Sequence, residues 1–164
     1  MYYLAMILLI WILCLLSVLL HELGHALGYG ISGGKAGWRV VVGAGPRIIG
    51  TSRFTFRLIP AGGYFVPDGE AETDREMIMM LAGGPLVSLL LSILFGIIVF
   101  CISKFVQPES DLYEIMSQTS RFLQSFNFFQ FLFTVIPIRY KVVCRGMESD
   151  VLQIIKVLKK KRSL

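Results

Sequence analysis

The chain has 164 residues, of which 55% are hydrophobic and only 16% charged, against roughly 25% charged residues in soluble domains. With a mean hydropathy of +0.69, its apolar side chains exceed what one soluble core of this length can hide, so a freely soluble protein is excluded. The net charge of +5 gathers at the C-terminus, in Lys156, Lys159, Lys160, Lys161 and Arg162, which suits an anionic membrane surface better than nucleic acid.

Residues 1–20 carry no charge, and at 1.5 Å per residue such a helix is about 30 Å long, the thickness of the hydrocarbon core. This predicts a first crossing over about residues 2–28. The stretch lacks a basic start and runs into His21-Glu22-Leu23-Gly24-His25 instead of a small-residue cleavage site, which argues against a signal peptide. Residues 34–66 contain two β-branched and aromatic runs, Trp38 to Val42 and Thr51 to Ile59, separated by Gly43, Gly45, Pro46 and Gly50. They predict a hairpin or small sheet pressed against the membrane, with an exposed edge near Val40 or Phe54 to which an extended substrate adds as a strand. Pro67-Asp68-Gly69 is a turn, and the acidic stretch from Glu70 to Glu76 reads as a solvated connector.

Met77 to Ile102 is a second uncharged run of 26 residues, predicting a crossing over about 77–103; Gly83-Gly84-Pro85 near its start allows a broken turn where neighbouring protein satisfies the backbone. A third crossing is expected over Phe122 to Ile138, whose Gln124, Ser125, Asn127, Gln130 and Thr134 require it to face protein or a wet cavity. Asn127, Gln130 and Thr134 share one helical face, which either lines a substrate path or binds neighbouring backbone. A basic amphipathic helix over 150–162 is expected to lie on the cytosolic leaflet. The fold class is thus a single membrane domain, mainly α, of three core transmembrane helices plus a β-rich loop between the first two. The basic residues before Met77 and after Ile138, against only Lys104 and Arg121 between the last two spans, put the N-terminus outside and the C-terminus in the cytosol. Cys14, Cys101 and Cys144 form no C-x-x-C pair and are neither a disulfide framework nor a zinc knuckle.

The chemistry concentrates in His21, Glu22 and His25. Histidines four residues apart project from one helical face and can grip one metal ion. Both histidines of the chain fall in this motif, and ionisable groups inside a span are costly and functional by default. Zinc acidifies a water, and Glu22 is placed to take its proton as general base and to return it as proton donor. A catalytic zinc also wants a third protein ligand, commonly a carboxylate. The topology puts Glu109, Asp111 and Glu114 on the wrong side and leaves Asp68, Glu70, Glu72, Asp74, Glu76, Glu148 and Asp150. Asp68 doubles as a turn residue, and Asp150 doubles as the N-cap of the last helix.

Four segments together resemble the site-2 protease family of intramembrane zinc metalloproteases: His21-Glu22-Leu23-Gly24-His25; Gly43-Ala44-Gly45-Pro46 followed by Arg57-Leu58-Ile59-Pro60-Ala61-Gly62-Gly63-Tyr64; Ala82-Gly83-Gly84-Pro85-Leu86-Val87-Ser88; and Thr134-Val135-Ile136-Pro137 followed by Ser149-Asp150. Ser88 stands where the family usually has Asn, Thr134 begins what is usually N-L-x-P, and the glycine that follows the family's ligand Asp is replaced by Val151. The resemblance implies Asp150 as the third zinc ligand beside His21 and His25. It also implies a zinc endopeptidase of the cell membrane, of bacterial origin, that cuts a single-span protein or membrane-bound peptide near the cytosolic face: an anti-sigma factor, a pheromone or bacteriocin precursor, or a signal-peptide remnant. The family's PDZ or CBS regulatory domains are not expected here, so gating would fall to the chain's own loops or to a partner. The rival expectation is an inactive pseudoprotease that acts as a membrane binding or immunity protein. A zinc transporter is poorly supported, because the spans offer few ionisable groups beyond the site.

Overall fold

The computed structural model describes residues 2–34, 37–69, 73–108, 110–140 and 146–162. Six elements follow in order: α1 (Tyr2–Ser32), β1 (Trp38–Gly50), β2 (Phe54–Pro67), α2 (Asp74–Phe105), α3 (Asp111–Val135) and α4 (Asp150–Arg162). Mainly helical, with one small two-strand sheet, the chain has two helices long and apolar enough to cross a membrane, over Leu4–Ser32 and Asp74–Phe105. Helix α3 reaches 25 residues, but its many polar side chains keep it out of that class.

Helix α1 runs four residues past the expected end at 28, with Gly28 helical against the Met79 backbone of α2. It stops at Ser32, whose hydroxyl turns back to the carbonyls of Gly28 and Tyr29 at 2.8 and 2.9 Å, while Gly34 N–H closes on the Tyr29 carbonyl at 3.0 Å. Helix α2 begins at a Thr73 cap whose hydroxyl accepts the Glu76 N–H at 3.1 Å, the cap-and-glutamate signature of a helix start. It then passes without interruption through Gly83-Gly84-Pro85, so no broken turn forms. The reason is contact: a Cβ on Gly24 would come within 2.5 Å of the Gly83 carbonyl oxygen. The glycines bring the two backbones together there, and the helix tolerates its proline within that crossing. Helix α3 starts at a Ser110 cap and ends at Val135, earlier at both ends than the expected run of 122–138. The residue before Pro137 is driven out of the helical region, and Ile136 accordingly lies at φ −67° and ψ 125°.

The two strands pair antiparallel but double back on themselves. Val40 pairs with both Phe65 and Phe54, Val41 with both Tyr64 and Thr55, and Val42 with both Gly63 and Phe56. Beyond them β1 bends at Gly43 and Gly45, which hold φ of 85° and 78°, and returns so that Ile49 meets Phe56 and Gly50 meets Thr55. The edge expected to be open near Val40 or Phe54 is therefore closed on both sides. Among the described residues, the run Gly63 to Pro67 has partners on one side only. One face of the sheet buries Val40 and Val42 against Leu15 and Val18 of α1, with Trp11, Phe54, Phe56 and Phe65 packed around them. Trp11 of α1 also donates its indole N–H to the Leu58 carbonyl at 2.8 Å, which ties the far end of the hairpin to the first half of α1. Fully buried Asn127 of α3 bonds the Ser17 hydroxyl of α1 at 3.2 Å and the Leu123 carbonyl at 2.8 Å. It joins helices, and Thr134 bonds only its own helix, to the carbonyls of Gln130 and Phe131. Neither reaches the histidines by any bond.

Gly24→Ala should therefore lower the unfolding midpoint in detergent sharply, since backbone has no way to yield, whereas Gly30→Ala, which meets nothing within 4 Å, should gain up to about 1 kcal/mol from helix propensity. Chemical denaturation followed by circular dichroism measures both.

Candidate metal centre

His21 and His25 lie one turn apart on α1, seven and eleven residues before its end, which places them about 10–16 Å inside the helix terminus. Both are buried, as is Glu22 between them, at 4%, 6% and 3% exposure. Their rings meet edge to face, with centroids 4.9 Å apart. Each ring is held from behind: His21 Nδ1 lies 2.8 Å from the Ser88 hydroxyl, and His25 Nδ1 lies 2.8 Å from the Met80 carbonyl. A carbonyl only accepts, so His25 carries its proton on Nδ1 and presents a bare Nε2 lone pair; the same tautomer at His21 uses Ser88 as acceptor. Both supports come from α2, across the Gly24–Gly83 approach.

The two Nε2 atoms face one point, 3.3 Å apart. Asp150 Oδ2 completes the group, at 3.9 Å from His21 Nε2 and 3.7 Å from His25 Nε2. Three donors about 2.1 Å from a tetrahedral ion stand roughly 3.4 Å from one another, so this cluster has the size and the donor chemistry of a two-histidine, one-carboxylate zinc site. Glu22 supplies a further buried oxygen: its Oε2 has no hydrogen-bond partner among the described residues. Its Oε1 lies against Gly63 of the sheet, where a Cβ would come within 2.7 Å. The one-sided stretch of β2 thus starts beside the general-base candidate.

Asp150 reaches the histidines because the chain after α3 is pinned in a short return. Tyr140 N–H bonds the Met147 carbonyl at 2.9 Å and Ser149 N–H bonds the Ile138 carbonyl at 2.9 Å, bracketing a bridge between Arg139 and Glu148. Ser149, 1% exposed, is the true cap of α4: its hydroxyl accepts the N–H groups of Leu152 and Ile138 at 3.3 and 3.2 Å. That frees the Asp150 carboxylate, which an N-cap role would have occupied, to face α1. Glu148 is no ligand candidate either. It sits between Lys156 at 2.5 Å and Arg139 at 2.5 Å, and hydrogen bonds from these two cations hold its carboxyl below the usual carboxylate range. Asp68 pairs with Arg39 at 3.3 Å, half exposed, and does not join the group of His21, His25 and Asp150; Glu70 and Glu72 lie outside the described residues.

Sequence reasoning had no means to find Ser149 as the cap, the Met80 carbonyl or the Glu148 cluster as supports of the site. A carbonyl has no residue-type signature, and the bond that positions Ser149 joins it to Ile138, 11 residues away in sequence. Ser88 was visible only as a polar residue at a family position.

The sequence profile of Peptidase family M50 matches residues 8–161, nearly the whole chain, so the chain belongs to that family of metallopeptidases. No curated protein matches it.

Asp150→Ala should lose zinc on dialysis while Asp68→Ala keeps it, and Ser88→Ala should weaken zinc binding about 10–100-fold, all read by metal analysis of purified protein. Burial pushes the Asp150 carboxyl up to about 7. In the metal-free protein this group favours the fold below the ordinary Asp range, and that contribution is lost as pH rises through about 7. Zinc must displace its proton below that pH, so affinity measured by competition with a chelator should fall from pH 8 to pH 6.

Proposed function

We propose that this member of Peptidase family M50 is an intramembrane zinc endopeptidase that cuts a membrane-anchored protein or peptide near the cytosolic face. The observation that carries the proposal is the convergence of His21, His25 and Asp150 on one point beside a buried, unpartnered Glu22 oxygen. On this reading α3 is the third crossing, facing α1 and α2 with its polar residues, the N-terminus is outside and α4 lies at the cytosolic leaflet; the distribution of basic residues supports that orientation.

Zinc, when held by His21, His25 and Asp150, supplies Lewis acidity toward a carbonyl and acidifies a water. The chain's own residues do the rest. Ser88 and the Met80 carbonyl fix the two rings so that no reorientation is needed as charge develops. Glu22 accepts the proton of the attacking water at its free Oε2 and delivers it to the leaving amine. A transmembrane helix hides its carbonyls in its own hydrogen bonds, so a substrate must be extended to be cut. The one-sided run of β2 from Gly63 to Pro67, beginning next to Glu22, can hold such a strand by backbone pairing.

Purified wild type and Glu22→Gln, each reconstituted with a panel of single-span substrates, separate the enzyme from an inactive binding protein. The proposal expects equal zinc in both and cleavage reduced about 100–10,000-fold in the variant, the range for loss of a general acid–base. Wild type that binds zinc yet cuts nothing, with a cellular phenotype preserved in Glu22→Gln, would establish the binding protein instead.

A further inference from the structure

The sheet has a second face that the metal centre does not use. Arg39, Arg47 and Arg53 line, with Thr51, Thr55 and Tyr64, a cavity of about 300 Å³. No acidic residue lines it. Asp68 offsets Arg39 through its 3.3 Å ion pair; among the described residues no carboxylate pairs with Arg47 or Arg53. Two of the cations are held in fixed poses. The Arg53 guanidinium stacks over the Trp38 ring, 5.3 Å from its centroid. The Arg47 guanidinium lies flat over Gly50, in the space that a side chain there would fill. Thr51 accepts the N–H groups of Arg53 and Phe54 at 3.4 and 3.0 Å, which leaves its own hydroxyl proton to donate. The polar groups around this cavity are cations and hydroxyls, set among Val40, Val41 and Val66, the chemistry that receives a phosphate.

The surroundings say which phosphate. On the same sheet, Ile48, Ile49, Leu58 and Ile59 stand 46–60% exposed, and Leu58 is tied to Trp11 inside the first crossing. The cationic cavity sits toward the other end of the sheet, at the Thr51–Arg53 turn and Trp38. A cationic head pocket next to an apolar strip that runs to membrane depth has the polarity pattern of one phospholipid. Guanidinium groups on such a strip also need an anion, because hydrocarbon offers them no partner. We propose that this sheet binds the phosphate of an anionic phospholipid headgroup at its arginines, with the acyl chains against the exposed apolar end of the hairpin at Ile48, Ile49, Leu58 and Ile59, so that a bound lipid becomes part of the sheet that flanks the metal centre. A zwitterionic lipid brings its own cation and leaves Arg47 and Arg53 uncompensated, so the site prefers net negative charge.

The test is lipid retention by the full-length protein in native mass spectrometry, with phosphatidylglycerol, phosphatidylcholine or inorganic phosphate supplied at equal concentration. Wild type should hold one phosphatidylglycerol that survives detergent exchange, and no phosphatidylcholine or inorganic phosphate in its place. Arg47→Gln with Arg53→Gln should lose that lipid, with affinity for a short-chain phosphatidylglycerol about thirty-fold lower, equivalent to roughly 2 kcal/mol at about 1 kcal/mol per cation. Gly50→Ala displaces only the Arg47 side chain and should weaken retention with an unchanged circular dichroism melt, which guards against a double variant that fails to fold. Lys104→Gln, a basic residue on another element, should retain lipid as wild type does. Equal phosphatidylglycerol retention in wild type and the double variant would overturn the site. Inorganic phosphate displacing the lipid at equal concentration would overturn the headgroup assignment.

Discussion

Two histidines and a glutamate buried in a helix long and apolar enough to cross a membrane are costly unless every one of their polar atoms has a use. That constraint organises the molecule. Imidazole Nδ1 atoms need partners, so α2 must come close enough for the Met80 carbonyl and the Ser88 hydroxyl to serve them, and the backbones approach that closely where Gly24 faces Gly83 and Gly28 faces Met79. The Nε2 atoms need a cation or a proton, so a carboxylate must be brought in from elsewhere, and Asp150 arrives on α4. Glu22 needs exclusion from lipid, and the sheet at Gly63 covers it.

The remainder of the fold serves those three demands. Helix α4 is docked through Ile154 on the cluster of Tyr29, Met80 and Leu81, and its start is set by the return that bonds Ile138 to Ser149. Glu148, clamped by Arg139 and Lys156, adds a charged tie on the solvent side of the same return. The sheet reaches from the end of α1 to Trp11, so one element both shields Glu22 and presents an unpaired strand edge to what lies next to it. A lipid held on its outer face would make the stiffness of that edge depend on membrane composition.

Much of this was legible from residue types. Uncharged runs of membrane length marked α1 and α2, and alternation with glycine punctuation marked a sheet between them. The i, i+4 histidines marked the centre of the site. What failed to show was whatever depends on backbone meeting backbone. Gly83-Gly84-Pro85 reads as a break, yet the crossing with α1 keeps α2 continuous. Val40 and Phe54 read as an edge, yet the bend at Gly43 and Gly45 folds each strand onto itself and closes that edge. Asp150 reads as the cap of α4, and only the bond from Leu152 N–H to the Ser149 hydroxyl gives that role to Ser149. Asp68 and Glu148 competed for the ligand role until their partners, Arg39 in one case and Arg139 with Lys156 in the other, came into view.

The account's central claim is that one zinc ion joins α1 to α4 through two imidazoles and one carboxylate. X-ray absorption at the zinc edge, on purified protein in detergent, measures this without reference to any substrate. It should give two imidazole nitrogens and low-atomic-number oxygen scatterers at about 2.0–2.2 Å, with the oxygen shell diminished in Asp150→Ala. A sulfur shell near 2.3 Å, or a spectrum identical in wild type and Asp150→Ala, would contradict it.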